Sequence, residues 1–365
     1  MSKKGALPQQ TVVGMLDSNI FGVSDVKNVK PSSLDLVISG EIYRLDGGIF
    51  LPFKGEKVSD ILSKTKKDRK LFIDGKASLK KDVSYVVKLK ESFDLPSSVY
   101  AYANPKSSSG RLDMHVRLLS DGITRFDTLY RGYKGDVWLL IIPKTFDCVL
   151  EEGMSLNQIR FFNGDTRLNE TDLEIILEKQ GLVFDKSGKK IEYSDLSITD
   201  NDGSIILTLD MSIKTFGYRA IKTDKKIDLS RRDYDWEKFF DPLEIENGRM
   251  TLKKGEFYIL VCHERVRVPQ GFACEMVPMD ERTGEFRSHY AGFIDPGWGC
   301  GENDDQKGRP LVMEVRPFED ISVRDGYPIA KIRFERLVED TDLLYDDADS
   351  NYSQQSGPKL AKQFA

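Results

Sequence analysis

Residues 74–106 read DGKASLKKDVSYVVKLKESFDLPSSVYAYANPK, and residues 247–279 read NGRMTLKKGEFYILVCHERVRVPQGFACEMVPM, so the chain carries the same stretch of sequence twice. A constant offset of 173 residues relates the matching positions, which are Leu79 and Leu252, Pro96 and Pro269, Pro105 and Pro278, and Gly153 and Gly326. Because a repeated stretch of sequence is expected to repeat one structural unit, the duplication predicts two domains of the same fold.

Short apolar or alternating runs dominate both copies and predict many short strands. Gly, Pro, Asn and Asp clusters separate these runs, which lie at residues 34–45, 85–90, 137–142, 205–213 and 257–262. Each copy also predicts a short opening helix. The first lies near Thr11 to Leu16, and the second begins after the cap Asn169 and ends at Gly181. Leu173, Ile175, Ile176 and Leu177 are expected on one face of that second helix.

These patterns predict a mainly β chain in three parts. Residues 1–164 form a first domain, residues 165–345 a second, and residues 346–365 a polar tail that we interpret as a mobile lid. The chain has 365 residues, enough for two separate cores.

The composition narrows the class of protein. The net charge of −5 and the pI of about 5.5 argue against a nucleic-acid partner. The four cysteines form no CxxC pair and predict reduced thiols. No run approaches membrane-spanning length, and the start has no apolar signal region, so we expect a soluble cytoplasmic protein that does not associate with a membrane.

A cationic, hydroxyl-rich loop occurs only in the first copy. Its sequence NPKSSSGR, residues 104–111, contains Lys106, Ser107, Ser108 and Arg111. Backbone N–H groups, hydroxyls and two cations in one turn suit a polyphosphate, although a solvated loop is the alternative reading. The second copy has MDERTG at the corresponding residues 279–284.

An acid lies in an apolar strand only in the second copy. Glu314 is part of LVMEV, residues 311–315, where the first copy has the acid-free stretch 139–142. If Glu314 faces inward, desolvation should raise its pKa toward the range of a general acid/base. The alternative is a buried salt bridge, for instance with Arg316 or Arg333. Because each copy has kept what the other lacks, we predict one composite site with groups from both domains.

A further candidate is the turn FIDPGW at residues 293–298. Asp295 could accept a sugar hydroxyl and Trp298 could cover a ring, or the pair could simply be a turn with a packed indole. The histidines His115, His263 and His289 lie far apart, and no HxE with a following PCxxC occurs. A zinc-dependent nucleobase deaminase is therefore excluded.

Together these segments resemble the dCTP deaminase branch of the dUTPase-like family, in its tandem-domain bacterial form. The resemblance rests on PSSLDL at residues 31–36, KSS with Arg111, Ala291 followed by FIDPGW, ME at residues 313–314, and YSQQSG at residues 352–357. It implies two tandem dUTPase-like domains of the β-clip, or distorted jelly-roll, type. The implied reaction is the hydrolytic deamination of dCTP to dUTP and ammonia.

The resemblance also implies residue roles. Glu314 would be the general acid/base, Ser107 and the carbonyl of Ala291 would hold the attacking water, and Arg111 would fix the site and its charge. The groups that would bind the nucleotide are Lys106, Ser108, Asp295, Trp298, the backbone of Val312 and Met313, and Tyr345, Tyr352 and Gln355 from the end of the chain.

The resemblance implies Mg²⁺ bound through the triphosphate, no zinc, and a homo-oligomer with trimer-like domain packing. It raises dTTP as an inhibitor without deciding the matter. Two alternatives stay open: dUTP pyrophosphatase activity, alone or as a second step, and a non-enzymatic nucleotide-binding regulator. Glu314 favours deamination, because pyrophosphate cleavage needs no carboxylate at the base.

Overall fold

The computed structural model describes residues 3–64, 72, 74–196, 198–245, 248–279, 281–288, 292–301, 306–348, 352 and 355–364. The chain divides into two compact units. The N-terminal unit comprises Leu7–Gly164, Lys222–Asp235 and Ala361–Ala365, and the C-terminal unit comprises Met1–Ala6, Asp165–Ile221 and Trp236–Leu360.

The N-terminal unit is mainly β, as predicted. Its elements in chain order are α1 (Gln9–Val13), β1 (Ile20–Phe21), β2 (Leu34–Arg44), α2 (Val58–Lys64), β3 (Lys76–Leu79), β4 (Tyr85–Asp94), β5 (Tyr100–Pro105), α3 (Ser107–Gly110), β6 (Met114–Ser120), β7 (Thr128–Leu129), β8 (Lys134–Pro143), β9 (Cys148–Glu151) and β10 (Ser155–Phe162).

The sheet of this unit is antiparallel and follows the order β6-β8-β4-β2-β10-β5-β7, with β1 added to β4. The central strands are buried on both faces: Val86, Val87, Leu139 and Ile141 have no exposed surface. Burial of this apolar surface is the main stabilising term of the unit, at about 25 cal/mol per Å².

The C-terminal unit repeats the architecture. Its elements are α4 (Glu170–Gln180), β11 (Val183–Phe184), β12 (Ser204–Thr208), β13 (Gly217–Ala220), β15 (Phe240–Leu243), β16 (Arg249–Leu252), β17 (Tyr258–Val266), β18 (Phe272–Val277), β19 (Phe286–Ser288), β20 (Phe293–Ile294), β21 (Arg309–Pro317), β22 (Ile321–Arg324) and β23 (Pro328–Arg336). One further strand, β14 (Ile227–Asp228), lies between β13 and β15 in the sequence but belongs to the N-terminal unit, where it pairs with β9.

Two sheets enclose the core of the C-terminal unit. One follows the order β15-β13-β17-β21-β19, with β11 on β17, and the other follows β12-β23-β18-β20. Leu260 and Met313 from the first sheet share one buried cluster with Cys274, Ile332 and Phe334 from the second. The strand pair β17 and β21 therefore lies at the centre of the unit.

Equivalent hydrogen bonds show that the duplication is structural. The N–H of Lys80 donates to the Tyr85 hydroxyl at 2.9 Å, and the N–H of Lys253 donates to the Tyr258 hydroxyl at 2.8 Å. The ammonium groups of both lysines also bind an aspartate at 2.8 Å, Asp147 in the first copy and Asp320 in the second. The predicted fold class, two tandem mainly β domains of one type, is confirmed.

The helix predicted after Asn169 is present, with one difference. The Asn169 side chain caps it by accepting the N–H of Asp172 at 2.9 Å, and Leu173, Ile176 and Leu177 are buried. Ile175, expected on the same face, is 43% exposed, because successive residues turn by about 100° and only the i, i+3 and i+4 positions share a face. The predicted helix at Thr11 to Leu16 begins two residues earlier, at Gln9.

Two segments from the second half of the sequence lie in the N-terminal unit. Tyr234 donates its N–H to the carbonyl of Gln363 at 3.0 Å, and the Gln363 amide donates to the carbonyl of Leu229 at 3.2 Å. The predicted tail is thus divided, since residues up to Leu360 lie in the C-terminal unit. Its role as a lid stays a prediction. Within the described residues, no helix is long and apolar enough to span a bilayer.

Candidate active site

The loop predicted to bind phosphate lies between β5 and β6 of the N-terminal unit. Its serines belong to the short helix α3 (Ser107–Gly110), which Lys106 precedes and Arg111 follows. The Ser109 hydroxyl donates to the carbonyl of Leu156 at 3.0 Å, and the N–H of Lys106 donates to the same carbonyl. The loop is therefore anchored to β10. Ser108 and Arg111 are buried, and Ser107 is half-buried.

Lys106 forms an ion pair with Asp35, a residue of β2. The Lys106 side chain is 20% exposed and the Asp35 side chain 7% exposed. Such a pair is screened much less by solvent than a surface pair. The sequence included Asp35 in the PSSLDL string without giving it a role, so this contact is new information from the structure.

A second buried carboxylate, Glu91 of β4, lies near Asp35. Its Oε2 accepts the N–H of Val37 at 2.9 Å, and its side chain is only 1% exposed. Burial raises the pKa of Glu91 to about 7, and the negative charge of Asp35 acts in the same direction. Glu264 of the second copy makes the equivalent bond, to the N–H of Thr208, and burial raises its pKa as well.

The raised pKa of Glu91 predicts a pH-dependent stability. The folded chain keeps the proton of Glu91 up to about pH 7, whereas an unfolded glutamate loses it near pH 4.3. The resulting stabilisation is complete below about pH 4.3 and is lost as the pH rises through about 7. The free energy of unfolding, measured in urea, should therefore decrease between about pH 5 and about pH 8 in the wild type. This decrease should be larger than that in Glu91→Gln, by on the order of 3 kcal/mol. The exposed Glu174→Gln is the control, and equal pH dependence in all three chains would contradict this assignment.

Glu314 is a buried residue of the C-terminal unit. It lies in β21, is 1% exposed, and is flanked by Met313 and Val315, which have no exposed surface. Met313 and Val315 pack in the core between the sheets, so the Glu314 side chain points to the opposite face. There it stands in register with Ile259 of β17, which in turn stands opposite Tyr218 of β13.

The backbone beside Glu314 is set by its neighbouring strands. Val312 pairs with Val261 and Met313 with Leu260, on the β17 side. On the other side, β19 pairs with β21 from Val315 onward. Of the two arginines considered as salt-bridge partners for Glu314, Arg333 binds Asp202 at 2.6 Å and Arg316 donates to the carbonyl of Gly255.

The turn predicted to bind the sugar follows β20. Asp295 is 8% exposed, and its carbonyl accepts the N–H of Trp298 at 3.2 Å. Gly297 has a φ of +93°, and a Cβ there would lie 2.7 Å from the backbone nitrogen of Tyr345. A glycine is needed at this position because Tyr345 lies directly against the turn and donates its N–H to the carbonyl of Pro296 at 2.8 Å.

Residues that follow Tyr345 in the sequence bind to the region of the C-terminal unit around this turn. Arg309, the first residue of β21, donates from both of its Nη atoms to the two carboxylate oxygens of Asp346, each at 2.6 Å. Its guanidinium lies 5.8 Å from the centre of the Trp298 ring, and the Tyr345 ring packs edge-on against that indole at 5.0 Å. The Gln355 amide donates to the carbonyl of Pro310 at 2.9 Å. We call this group of residues the Arg309 latch.

One cluster in the described part of the chain has the spacing of metal ligands. Asp210, His263 and Asp325 offer ligand atoms within 4.8 Å of one another. However, the ammonium group of Lys186 binds Asp210 at 2.6 Å, and His263 Nε2 lies 2.7 Å from Asp325. The ammonium of Lys186 thus already pairs with one of the two carboxylates, and the donor set fits an ion-pair network better than a metal site.

The predicted site residues fall into two groups by unit. Lys106, Ser107, Ser108 and Arg111 come together in the N-terminal unit. The structure places the others in the C-terminal unit: Asp295, Trp298, Val312, Met313, Glu314, Tyr345, Tyr352 and Gln355. Ala291 lies outside the described residues. Sequence reasoning missed Asp35, Glu91, Arg309 and Asp346. A comparison of the two copies would have revealed Glu91, since Glu264 is its counterpart at the offset of 173.

Comparison with known proteins identifies the family. The N-terminal domain of 2′-deoxycytidine 5′-triphosphate deaminase (DCD) matches residues 3–165, and the C-terminal domain of the same family matches residues 169–364. A crystal structure of 2′-deoxycytidine 5′-triphosphate deaminase from Agrobacterium tumefaciens is 33% identical and aligns with a TM-score of 0.81. That alignment covers 93% of this chain and 100% of the other. A search of curated proteins found no match.

The two matches divide the chain at the boundary between its two copies, and together they span nearly all of it. The chain therefore belongs to the 2′-deoxycytidine 5′-triphosphate deaminase family and is an enzyme with both the N-terminal and the C-terminal domain of that family.

Proposed function

We propose that this enzyme hydrolyses dCTP to dUTP and ammonia, with Glu314 as general acid/base and without zinc. The observation that carries the proposal is the burial of the Glu314 carboxylate, since this residue of β21 is only 1% exposed. Burial disfavours the charged form of a carboxylate relative to water, which suits a group that must take up a proton from water and pass it to a cytosine ring.

We propose that Glu314 relays two protons, one after the other. It removes the first proton from the water that attacks C4 and gives it to the ring nitrogen beside C4, and it then takes the second proton from the new C4 hydroxyl and gives it to the amino group, which leaves as ammonia while the C4 carbonyl forms. One carboxyl can perform both relays, because it returns to its ionised form after each of them. We propose that Ser107 and the carbonyl of Ala291 orient that water, with Arg111 stabilising charge at the site.

The loop around α3 is proposed to bind the triphosphate. Lys106 brings a positive charge, and Ser108 brings a hydroxyl on a loop that is already anchored to β10 through the carbonyl of Leu156. This preorganisation lowers the entropy cost of binding. Mg²⁺ would enter bound to the triphosphate oxygens and would neutralise part of their charge. Asp295 would accept the deoxyribose 3′-hydroxyl, and the backbone of Val312 and Met313 would read the cytosine edge.

We propose that the Arg309 latch holds the end of the chain in a position that closes over the nucleotide. Asp346 lies beside Tyr345 in the sequence and precedes Tyr352 and Gln355. Both partners of its ion pair are largely buried, since the side chains of Arg309 and Asp346 are 7% and 15% exposed. Removing one partner of a buried, bidentate pair leaves the other charge desolvated and uncompensated, which costs several kcal/mol. The latch should therefore hold this segment against the Asp295 turn.

This role predicts the effect of Asp346→Asn. Without the second charge, Tyr345 should dissociate from the turn more often, so the KM for dCTP should rise by about tenfold while kcat changes by less than about threefold. The matched control is the neighbouring exposed Asp347→Asn, which should behave as the wild type. An unchanged KM in Asp346→Asn would remove the latch from the binding mechanism.

A single assay tests the proposed function. The enzyme is incubated with Mg²⁺ and either dCTP or dUTP, and ammonia, dUTP and dUMP are measured. Ammonia and dUTP in equal amounts support deamination. Additional dUMP would show dUTP pyrophosphatase activity as a second step, and dUMP from dUTP without ammonia from dCTP would replace the proposal by that activity. Nucleotide binding without turnover would indicate a regulator. Oligomerisation, dTTP inhibition and a cytoplasmic location stay predictions.

A further inference from the structure

The ion pair between Lys106 and Asp35 fixes the cation of the phosphate loop from two directions. The backbone of Lys106 is anchored by its N–H to the carbonyl of Leu156 at 3.0 Å, and its own carbonyl accepts the N–H groups of Ser109 and Gly110. Its ammonium is held by Asp35, which lies on β2 opposite Gln158 of β10. Both ends of a flexible side chain are thereby restrained.

Asp35 depends on the ammonium of Lys106 to balance its charge. Asp35 is buried, and its Oδ1 has no hydrogen-bond partner among the described residues. The charged groups that act on the adjacent Glu91 are Asp35 on β2 and Lys90 on its own strand. On the neighbouring strand β8, Asp136 is paired with Lys88 at 2.8 Å. Lys106 is the described ion-pair partner of Asp35, and its ammonium has three N–H donors, of which the carboxylate needs at most two.

The second copy lacks both members of this pair. Lys106 corresponds to Met279 at the offset of 173. Val37 of β2 and Thr208 of β12 occupy equivalent positions, because each donates its N–H to the equivalent glutamate of its own unit. Asp35 lies two residues before Val37 and therefore corresponds to Ile206, two residues before Thr208. Ile206 and Met279 line one cavity of about 740 Å³ in the C-terminal unit. The first copy thus has a carboxylate and an ammonium where the second has two apolar side chains.

We propose that Asp35 is a positioning residue that holds the ammonium of Lys106 in place for the triphosphate. The inference rests on the proposed function, in which Lys106 contacts phosphate oxygens. The carboxylate restrains the lysine side chain before the nucleotide arrives, so less rotamer entropy is lost on binding. The remaining N–H donors of the ammonium can then bind phosphate oxygens while the contact with Asp35 is kept.

The test measures binding by calorimetry, with dUTP and dUMP as probes, because neither has an amino group to lose. Asp35→Asn should weaken dUTP binding by about tenfold and dUMP binding by less than about twofold, since the dUMP phosphate does not reach as far as a triphosphate. Lys106→Met should weaken dUTP binding by about thirtyfold. If Asp35 acts through Lys106, the double variant should bind dUTP no more weakly than Lys106→Met alone.

A merely structural role of Asp35 would give other results. Equal weakening of dUTP and dUMP binding, or a full additional tenfold loss in the Lys106→Met background, would overturn the proposal. Asp94→Asn, which removes the partner of the exposed Lys134 in the same unit, is the control and should bind dUTP normally. If Asp35→Asn does not fold, the chain with Asp35→Ile and Lys106→Met, which installs the apolar pair of the second copy, takes its place and should again match Lys106→Met alone.

The inference and the proposed function fail in different measurements. Ammonia release from dCTP by the wild type decides the proposed function, whereas dUTP binding requires no deamination. A wild type that releases ammonia while Asp35 and Lys106 contribute independently to dUTP binding would refute only the inference. A wild type that binds dUTP no more tightly than dUMP would refute it as well.

Discussion

Glu314→Gln should reduce kcat for dCTP deamination by about a thousandfold or more and leave nucleotide binding within about threefold of the wild type. The substituted amide has nearly the same shape as the carboxyl, so the packing of β21 around Met313 and Val315 should survive. It does not accept a proton from water, and it has no acidic proton to give to the ring or to ammonia. The loss should therefore appear in kcat rather than in KM.

Ammonia release under single-turnover conditions measures this effect, and calorimetry with dUTP confirms that the variant still binds. The chain offers a control in Glu264→Gln, a half-buried glutamate in the adjacent strand β17, whose carboxylate accepts hydrogen bonds from the N–H and the hydroxyl of Thr208. That variant should keep kcat within about threefold. Wild-type ammonia release by Glu314→Gln would refute the assignment of the base.

Ser107→Ala should reduce kcat by about a hundredfold to a thousandfold, the loss expected when one polar group that orients a reactant is removed. Ser107 is the first residue of α3 and follows the ion-paired Lys106, so its hydroxyl is held on an anchored backbone. Loss of the hydroxyl leaves that backbone intact, because the anchors are the N–H of Lys106 and the hydroxyl of Ser109.

The duplication supplies the control for this variant as well. Asp280 occupies the position of Ser107 in the second copy, at the offset of 173. Asp280→Ala should retain nearly full kcat, as measured in the same ammonia assay. Full activity in Ser107→Ala together with a large loss in Asp280→Ala would show that the loop of the second copy, and not that of the first, acts in the reaction.

Much of this molecule could be predicted from sequence because the chain repeats itself. Two independent copies of one strand pattern identify the fold, and positions where the copies differ identify candidate chemistry. The Ser107 loop and Glu314 were found in this way, as departures from a shared background. The cap Asn169 was also predictable, because a helix N-terminus depends on residues three positions apart.

The contacts that required the structure join residues that are distant in sequence. Asp35 meets Lys106 only because β2 and β5 both pair with β10. Arg309 meets Asp346 only because the chain returns to β21 after β23 is complete. The docking of residues 361–364 beside Tyr234 has no local signal either, since both segments read as polar connections. The exposure of Ile175 follows from helix geometry and could have been foreseen from its spacing to Leu173.

The central proposal is that the loop of the first copy and the carboxyl of the second act on one nucleotide. The most direct measurement is kcat for ammonia release in the chain with both Ser107→Ala and Glu314→Gln. Groups that serve the same proton transfer are strongly non-additive, so this double variant should be no more than about threefold slower than Glu314→Gln alone. A further loss equal to the full effect of Ser107→Ala would show that the two residues act independently, and the account would be wrong.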